Sequence, residues 1–202
     1  MDSFEKLVEA FRQLPGIGPR QARRFAYYVV GRGASFSDEL SSLLKEAQKA
    51  VFLCDTCKRF FEPKKGEKTC SMCTDPSRLT GQLMLIAKDT DLMSVEKSGA
   101  YKGRYFVLGG IIPVLEKEPA KKIRQNDLLR LITEMKAEGL TEVILALSPN
   151  HDGENTADYL TELLKDSSLT ISLLGRGLST GSEIEYADKD TLRFALENKK
   201  AH

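Results

Sequence analysis

The chain has 202 residues, with 30 Lys+Arg against 29 Asp+Glu and 2 His, giving a formal charge of +1 and a pI of about 7.6. That balance excludes a polyelectrolyte, so contact with nucleic acid has to come from a local basic patch and not from the field of the whole chain. A hydrophobic fraction of 41% and a charged fraction of 29% exclude a disordered chain, and the length allows one or two domains whose core needs no staples. The longest apolar stretches, Val107 to Leu115 and Val143 to Leu147, fall short of the roughly 20 residues a membrane span needs. Asp2 and Glu5 precede any apolar run, which does not fit a signal peptide, so a cytoplasmic location is expected.

Phe4, Leu7, Val8, Phe11 and Leu14 recur at the spacing of one helix face. A second helix opens at Pro19, carries Ala22, Phe25, Ala26, Val29 and Val30, and stops at Gly31. A third carries Leu40, Leu43, Leu44, Ala47 and Val51, with Ser35 or Ser37 as its cap. Residues 1–51 are therefore predicted to be a helical domain. In residues 52–78 the periodicity vanishes and all four cysteines appear, interleaved with Lys58, Arg59, Lys64, Lys65 and Lys68. Residues 79–175 then alternate between strand and helix: strands Leu83–Ala87, Tyr105–Leu108, Val143–Leu147 and Leu169–Leu174, and helices Asp91–Ser98, Asn126–Glu138 and Glu154–Asp166. Strands separated by helices predict a parallel α/β sheet covered on both faces. Residues 176–202 form a polar C-terminal tail with a short helix around Thr191 to Leu196.

Cys54-x2-Cys57-x12-Cys70-x2-Cys73 is a pair of knuckles at the spacing of a closed tetrahedral zinc site. The competing readings are a disulfide pair, which a reducing compartment disfavours, and unrelated buried thiols, which two matched C-x2-C pairs make improbable. Four cysteine ligands leave no position open for water, so the zinc is expected to fold the loop and to do no chemistry.

Leu14-Pro15-Gly16-Ile17-Gly18-Pro19 lies between two amphipathic helices and reads as a helix-hairpin-helix. The second helix begins at the hairpin, so its free N–H groups can hold a phosphate without reading sequence. Gly16, Gly18, Arg20, Arg23 and Arg24 are the candidate DNA-binding residues. The bland alternative is a hairpin that only packs or dimerises. Gly16-Ile17-Gly18 is not a dinucleotide fingerprint, because it follows a helix and Gln21 stands where the third glycine would be.

The order of these modules, with Glu96-Lys97-Ser98-Gly99, Gly103-Arg104-Tyr105-Phe106-Val107-Leu108-Gly109-Gly110 and Glu185-Tyr186-Ala187-Asp188, resembles the RecR family of bacterial recombination mediators over nearly the full length. The resemblance implies a Toprim fold for the α/β domain and a homo-oligomeric ring able to encircle DNA. It also implies work with RecO and RecF to place RecA on single-stranded DNA. The family's basic hairpin positions fall on Arg20 and Arg24, with Arg23 beside them. Active Toprim enzymes carry a glutamate after the first strand and two aspartates after a later one, which hold magnesium. Here those positions fall on Ala87, Ser148 and Asn150, leaving only Asp152 and Glu154. A catalytic magnesium site is therefore not expected, and Asp152 and Glu154 become candidates for binding a basic partner, RecO by the family analogy. The segment Ile112 to Glu118 also departs from the family's usual Ser-Pro-Leu-Asp-Gly-rich loop.

The expected function is thus a non-enzymatic, zinc-stabilised DNA-binding mediator of recombination and repair. The alternatives are a Toprim nuclease or primase, disfavoured by the missing acids, and a protein adaptor that never touches DNA, disfavoured by the clustered arginines. The sequence has no G-x4-G-K-[ST] loop for a nucleotide, and His151 is expected to be a solvated loop residue. Asp91 and Glu96 are expected on a helix facing solvent or a neighbouring chain. Tyr101, Tyr105 and Phe106 offer either base stacking or strand core.

Overall fold

Asp2 starts the first helix by accepting the Glu5 N–H on its carboxylate at 2.8 Å; the negative charge also suits the positive end of the helix dipole. The computed structural model describes residues 1–64, 66–175, 177–178, 181 and 183–199, in two compact units, Met1–Phe52 and Leu53 onward. Lys65, Arg176 and the last three residues of the tail lie outside the described residues.

The first unit is α1 (Ser3–Arg12), α2 (Pro19–Gly31) and α3 (Gly33–Ala50). Val8, Ala22 and Ala26 are buried at the crossing of α1 and α2, flanked by Phe4, Leu7, Phe11 and Ile17. Two alanines on α2 let the helices approach closely, and the ring pairs Phe4–Tyr27 and Phe11–Phe25 close the sides. The expected serine cap of α3 is corrected. Arg32 ends α2 and begins α3, Gly33 turns the chain in the left-handed region (φ +82°), and Ser35 and Ser37 lie inside the helix. The Ser37 hydroxyl donates to the Gly33 carbonyl at 3.3 Å instead of capping. None of the residues of α3 is fully buried, and Leu43 and Leu44 are exposed.

In the second unit a two-stranded ribbon, β1 (Phe52–Leu53) and β2 (Phe60–Phe61), precedes the short α4 (Ser71–Thr74) and a 3-10 turn at Pro76–Arg78. Then come β3 (Gln82–Ile86), α5 (Asp89–Ser98), β4 (Arg104–Val107), α6 (Gln125–Ala137), β5 (Glu142–Ala146), α7 (His151–Leu164), β6 (Thr170–Leu173) and α8 (Lys189–Glu197). The sheet is parallel in the order β4–β3–β5–β6, with Leu85 opposite Phe106 on one side and Leu145 on the other. The chain reverses its direction of winding between β3 and β5, the switch point at whose carboxyl ends open α/β sheets place a crevice.

Strand side chains alternate between two cores. Leu83, Leu85, Phe106, Leu108, Val143 and Leu145 pack beneath α6 and α7. Met84, Ile86, Tyr105 and Val107 pack beneath α5, with Tyr101 and Met72. Tyr101, Tyr105 and Phe106 are thus core residues, and their rings are not available to stack on bases.

Two expectations about helices are corrected. Asn150 caps α7 by accepting the Gly153 N–H at 2.8 Å, so α7 begins at His151 and places Asp152 and Glu154 on its first turn instead of in a loop. Glu96 does not face solvent: its carboxylate takes two bonds from Arg78, at 2.7 and 3.0 Å, and one from the Tyr105 hydroxyl at 2.6 Å. Burial works against the charged form, but Arg78 and Tyr105 outweigh it and hold the Glu96 carboxyl below the usual range. Asp91 is likewise used locally, accepting the Lys88 N–H at 3.1 Å.

Thr156, wholly buried in α7, accepts the Ile112 N–H at 2.8 Å and donates to the Asp152 carbonyl at 2.6 Å. Thr156→Val keeps the shape but leaves that N–H unmet, and is expected to cost about 1–3 kcal/mol in urea unfolding. Thr156→Ser is expected to retain most of the stability, because it keeps the acceptor.

Candidate metal centre and nucleic-acid interface

The knuckle segment is built from its turns. The Cys54 N–H donates to the Arg59 carbonyl at 2.9 Å, the Lys58 N–H returns to the Cys54 carbonyl at 3.0 Å, and the Cys73 N–H reaches the Cys70 carbonyl at 3.0 Å. These turns aim Cys54, Cys57, Cys70 and Cys73 inward, all buried, with their sulfurs within 4.8 Å of one another. The Cys70 N–H also points at the Cys54 sulfur at 3.3 Å. The thiols do not ionise alike: contacts with Cys57, Cys70 and Cys73 pull Cys54 far down, while contact with Cys54 pushes Cys57 and Cys73 far up. Four thiolates at this distance would repel one another, and a divalent metal among them would offset that charge. All four predicted ligands converge, and the donor set suits a soft, tetrahedral ion.

The hairpin brings together the expected backbone. Gly16 takes φ +77°, a conformation glycine adopts without a Cβ penalty, and the Ile17 N–H closes the turn on the Leu14 carbonyl at 3.1 Å. Gly18 precedes α2 with no side-chain cap, Pro19 is its first residue, and the first turn carries no acid. The N–H groups of this turn are open to an anion. Arg20, Arg23 and Arg24 are exposed and, with Pro19 and Tyr27, line a shallow surface groove. They are not equivalent. Arg23 makes a two-pronged ion pair with Glu5, at 2.7 and 3.1 Å, which raises its pKa further. Arg20 and Arg24 have no acidic partner among the described residues. Sequence spacing alone gave no sign that Glu5 would reach across from α1 to α2.

The three positions without acids meet at the sheet's switch point. Ala87 follows β3 and is buried, while Ser148 and Asn150 lie between β5 and α7, with the Asn150 side chain used as the cap of α7. Asp152 is occupied too: its carboxylate accepts the Val114 N–H at 3.1 Å. With Asn155, which donates to the Ile112 carbonyl at 3.0 Å, and Thr156, it fixes the 112–114 segment against α7. Leu115 then projects from the surface, 92% exposed. His151 is exposed at the first position of α7.

A helical hairpin, a buried four-cysteine cluster and a parallel sheet with a switch-point crevice define a chain of the helix-hairpin-helix and Toprim class. Residues 81–175 match the Toprim domain, residues 4–48 the RecR helix-hairpin-helix and residues 177–200 the RecR C-terminal region. The chain is 35% identical over 201 residues to the recombination protein RecR of Bifidobacterium adolescentis, covering 98% of this chain and 96% of the relative. It is 34% identical over 195 residues to that of Syntrophobacter fumaroxidans (96% and 94% covered) and 35% identical over 199 residues to that of Legionella pneumophila (98% and 96% covered). The chain belongs to the RecR family.

Elemental analysis of protein purified without added metal is expected to find one divalent ion per chain, and Cys57→Ser is expected to lose it along with solubility. Stoichiometric disulfides with no metal would show that the cluster is an oxidised pair.

Proposed function

We propose that this chain is a zinc-stabilised, non-enzymatic DNA-binding mediator of recombination and repair. The observation that carries the reading is the open first turn of α2, which presents uncapped N–H groups beside Arg20 and Arg24 with no acid opposing them. Such a surface grips phosphates and reads no bases, so binding is sequence-independent. Zinc fits the four-sulfur cluster, where it completes its shell and holds the knuckle segment folded. The lack of carboxylates at Ala87, Ser148 and Asn150 supports a role without phosphodiester chemistry.

A chain of net charge +1 gains from bringing several hairpins to one DNA, since linked contacts multiply through effective concentration. Tyr27, Tyr28, Leu43 and Leu44 are all more than half exposed on the helical unit, which supports a homo-oligomer. The family resemblance supplies RecO and RecF as partners and RecA on single-stranded DNA as the target. The proposed contact for RecO is the face made by Asp152, Glu154 and the segment they adjoin.

Affinity for DNA is expected to fall with salt, each phosphate contact contributing a log–log slope of about −0.9 on duplex and about −0.7 on single strands. Arg20→Glu with Arg24→Glu is expected to weaken binding strongly and flatten that slope, at unchanged helical content and oligomer mass. Glu5→Gln, which releases Arg23, is expected to steepen it. Unchanged affinity in a folded, oligomeric double mutant would assign the hairpin to packing and favour the adaptor reading.

Charge reversal at both Asp152 and Glu154 is expected to abolish co-purification with the cognate RecO while the chain's own DNA affinity stays as it was. Survival of the complex would leave Asp152 with the structural work of holding the 112–114 segment and would remove the assignment of a partner to this face.

A further inference from the structure

We infer that Arg124 is a positioning residue for the metal centre, the clamp through which the parallel sheet holds the first knuckle in ligating shape. The inference rests on the reading that the four cysteines hold zinc.

The first knuckle has an awkward backbone. Lys58, directly after the ligand Cys57, sits in the left-handed region at φ +60°, a conformation that costs a non-glycine residue energy unless its surroundings enforce it. Three contacts from outside the knuckle do so. The Arg124 guanidinium donates to the Lys58 carbonyl at 2.6 Å. The Val107 N–H, at the end of β4, donates to the Cys57 carbonyl at 2.8 Å. The Lys58 ammonium pairs with Asp127 of α6 at 3.1 Å. Two successive carbonyls beside one metal ligand are therefore fixed by the α/β domain.

Arg124 is itself held in place. Its guanidinium also donates to the Val107 carbonyl at 3.1 Å, and its backbone N–H donates to the Leu108 carbonyl at 2.9 Å. Gly109 makes room for it: a Cβ there would lie 2.9 Å from the Arg124 Nε. One nitrogen, the Arg124 Nη1, thus bridges the knuckle and the end of a core strand, and the rigid guanidinium plane seated against Gly109 holds it there, which the flexible stem of a lysine does not do. Groups that orient the residues around a metal in this way commonly change its retention by about 10–100-fold when removed.

The test follows zinc release from the full chain into excess 4-(2-pyridylazo)resorcinol, by absorbance, for wild type, Arg124→Met, Arg124→Lys and Thr156→Val. Wild type should release one zinc slowly. Arg124→Met should release it about 10–100-fold faster, and Arg124→Lys, which keeps a charged donor without the rigid guanidinium plane, should fall between. Thr156→Val, destabilised at a site remote from the knuckle, should release zinc at the wild-type rate. Equal acceleration in Thr156→Val would show that release follows general unfolding and would overturn the assignment. So would a wild-type rate in folded Arg124→Met, or in Arg124→Lys should the methionine variant not fold. Wild type without zinc would instead sink the metal reading, and the clamp with it.

Discussion

Four cysteine sulfurs, all buried and within 4.8 Å of one another, form a cluster able to hold a metal ion, and the middle of the chain is folded around it. The segment around them has no apolar core of its own apart from the sulfurs, Phe61 and Met72. Its order is therefore borrowed from the sheet beside it. Met72 shares the core beneath α5, and Phe60 donates its N–H to Asp89 at 2.8 Å. Arg78, at the exit of the segment, binds Glu96 and the Gly103 carbonyl. The motif Glu96-Lys97-Ser98-Gly99 and the start of the glycine-rich strand motif thus serve as the seat on which the cysteine segment rests.

At the switch point, the positions that hold carboxylates in active Toprim enzymes carry other side chains. Where carboxylates would gather around magnesium, Ala87 fills core space and the Asn150 amide caps a helix. Asp152 is turned to a backbone N–H. The Asn150 amide and the Asp152 carboxylate thus both have backbone partners within the chain. The surface this creates is a projecting apolar residue, Leu115, on a segment fixed by three side chains of α7.

Most of the architecture was legible in the residues because it follows from periodicity. Alternation of apolar runs gave every strand of the four-stranded sheet to within a residue or so, and the cysteine spacing gave the four residues whose sulfurs cluster. What escaped depended on contacts between distant segments or on backbone geometry. The start of α3 was set by Gly33 in a left-handed turn and not by the nearby serines. The start of α7 was set by Asn150, whose capping role was masked by its place among the positions expected for metal ligands. Glu96 looked like a surface acid because its partners, Arg78 and Tyr105, are 18 and 9 residues away. Arg23 looked equal to its neighbours because Glu5 lies 18 residues upstream. Arg124 carried no signal at all, being one basic residue before a helix.

The order of strands in the sheet has a consequence for the protein as it is made. β3 lies at the centre, yet its partner β5 follows it by 60 residues, as the Gln82–Glu142 pair shows. At translation rates of about 5–20 residues per second, that interval lasts about 3–12 s. The helical hairpin and the cysteine knuckles close over short stretches of chain and are complete by then, whereas Leu83 and Leu85 wait with one edge of their strand unpaired. Such non-local parallel pairing is slow and exposes apolar surface. The nascent chain thus meets its greatest risk of aggregation after its cysteine knuckles have been made and before its sheet has closed.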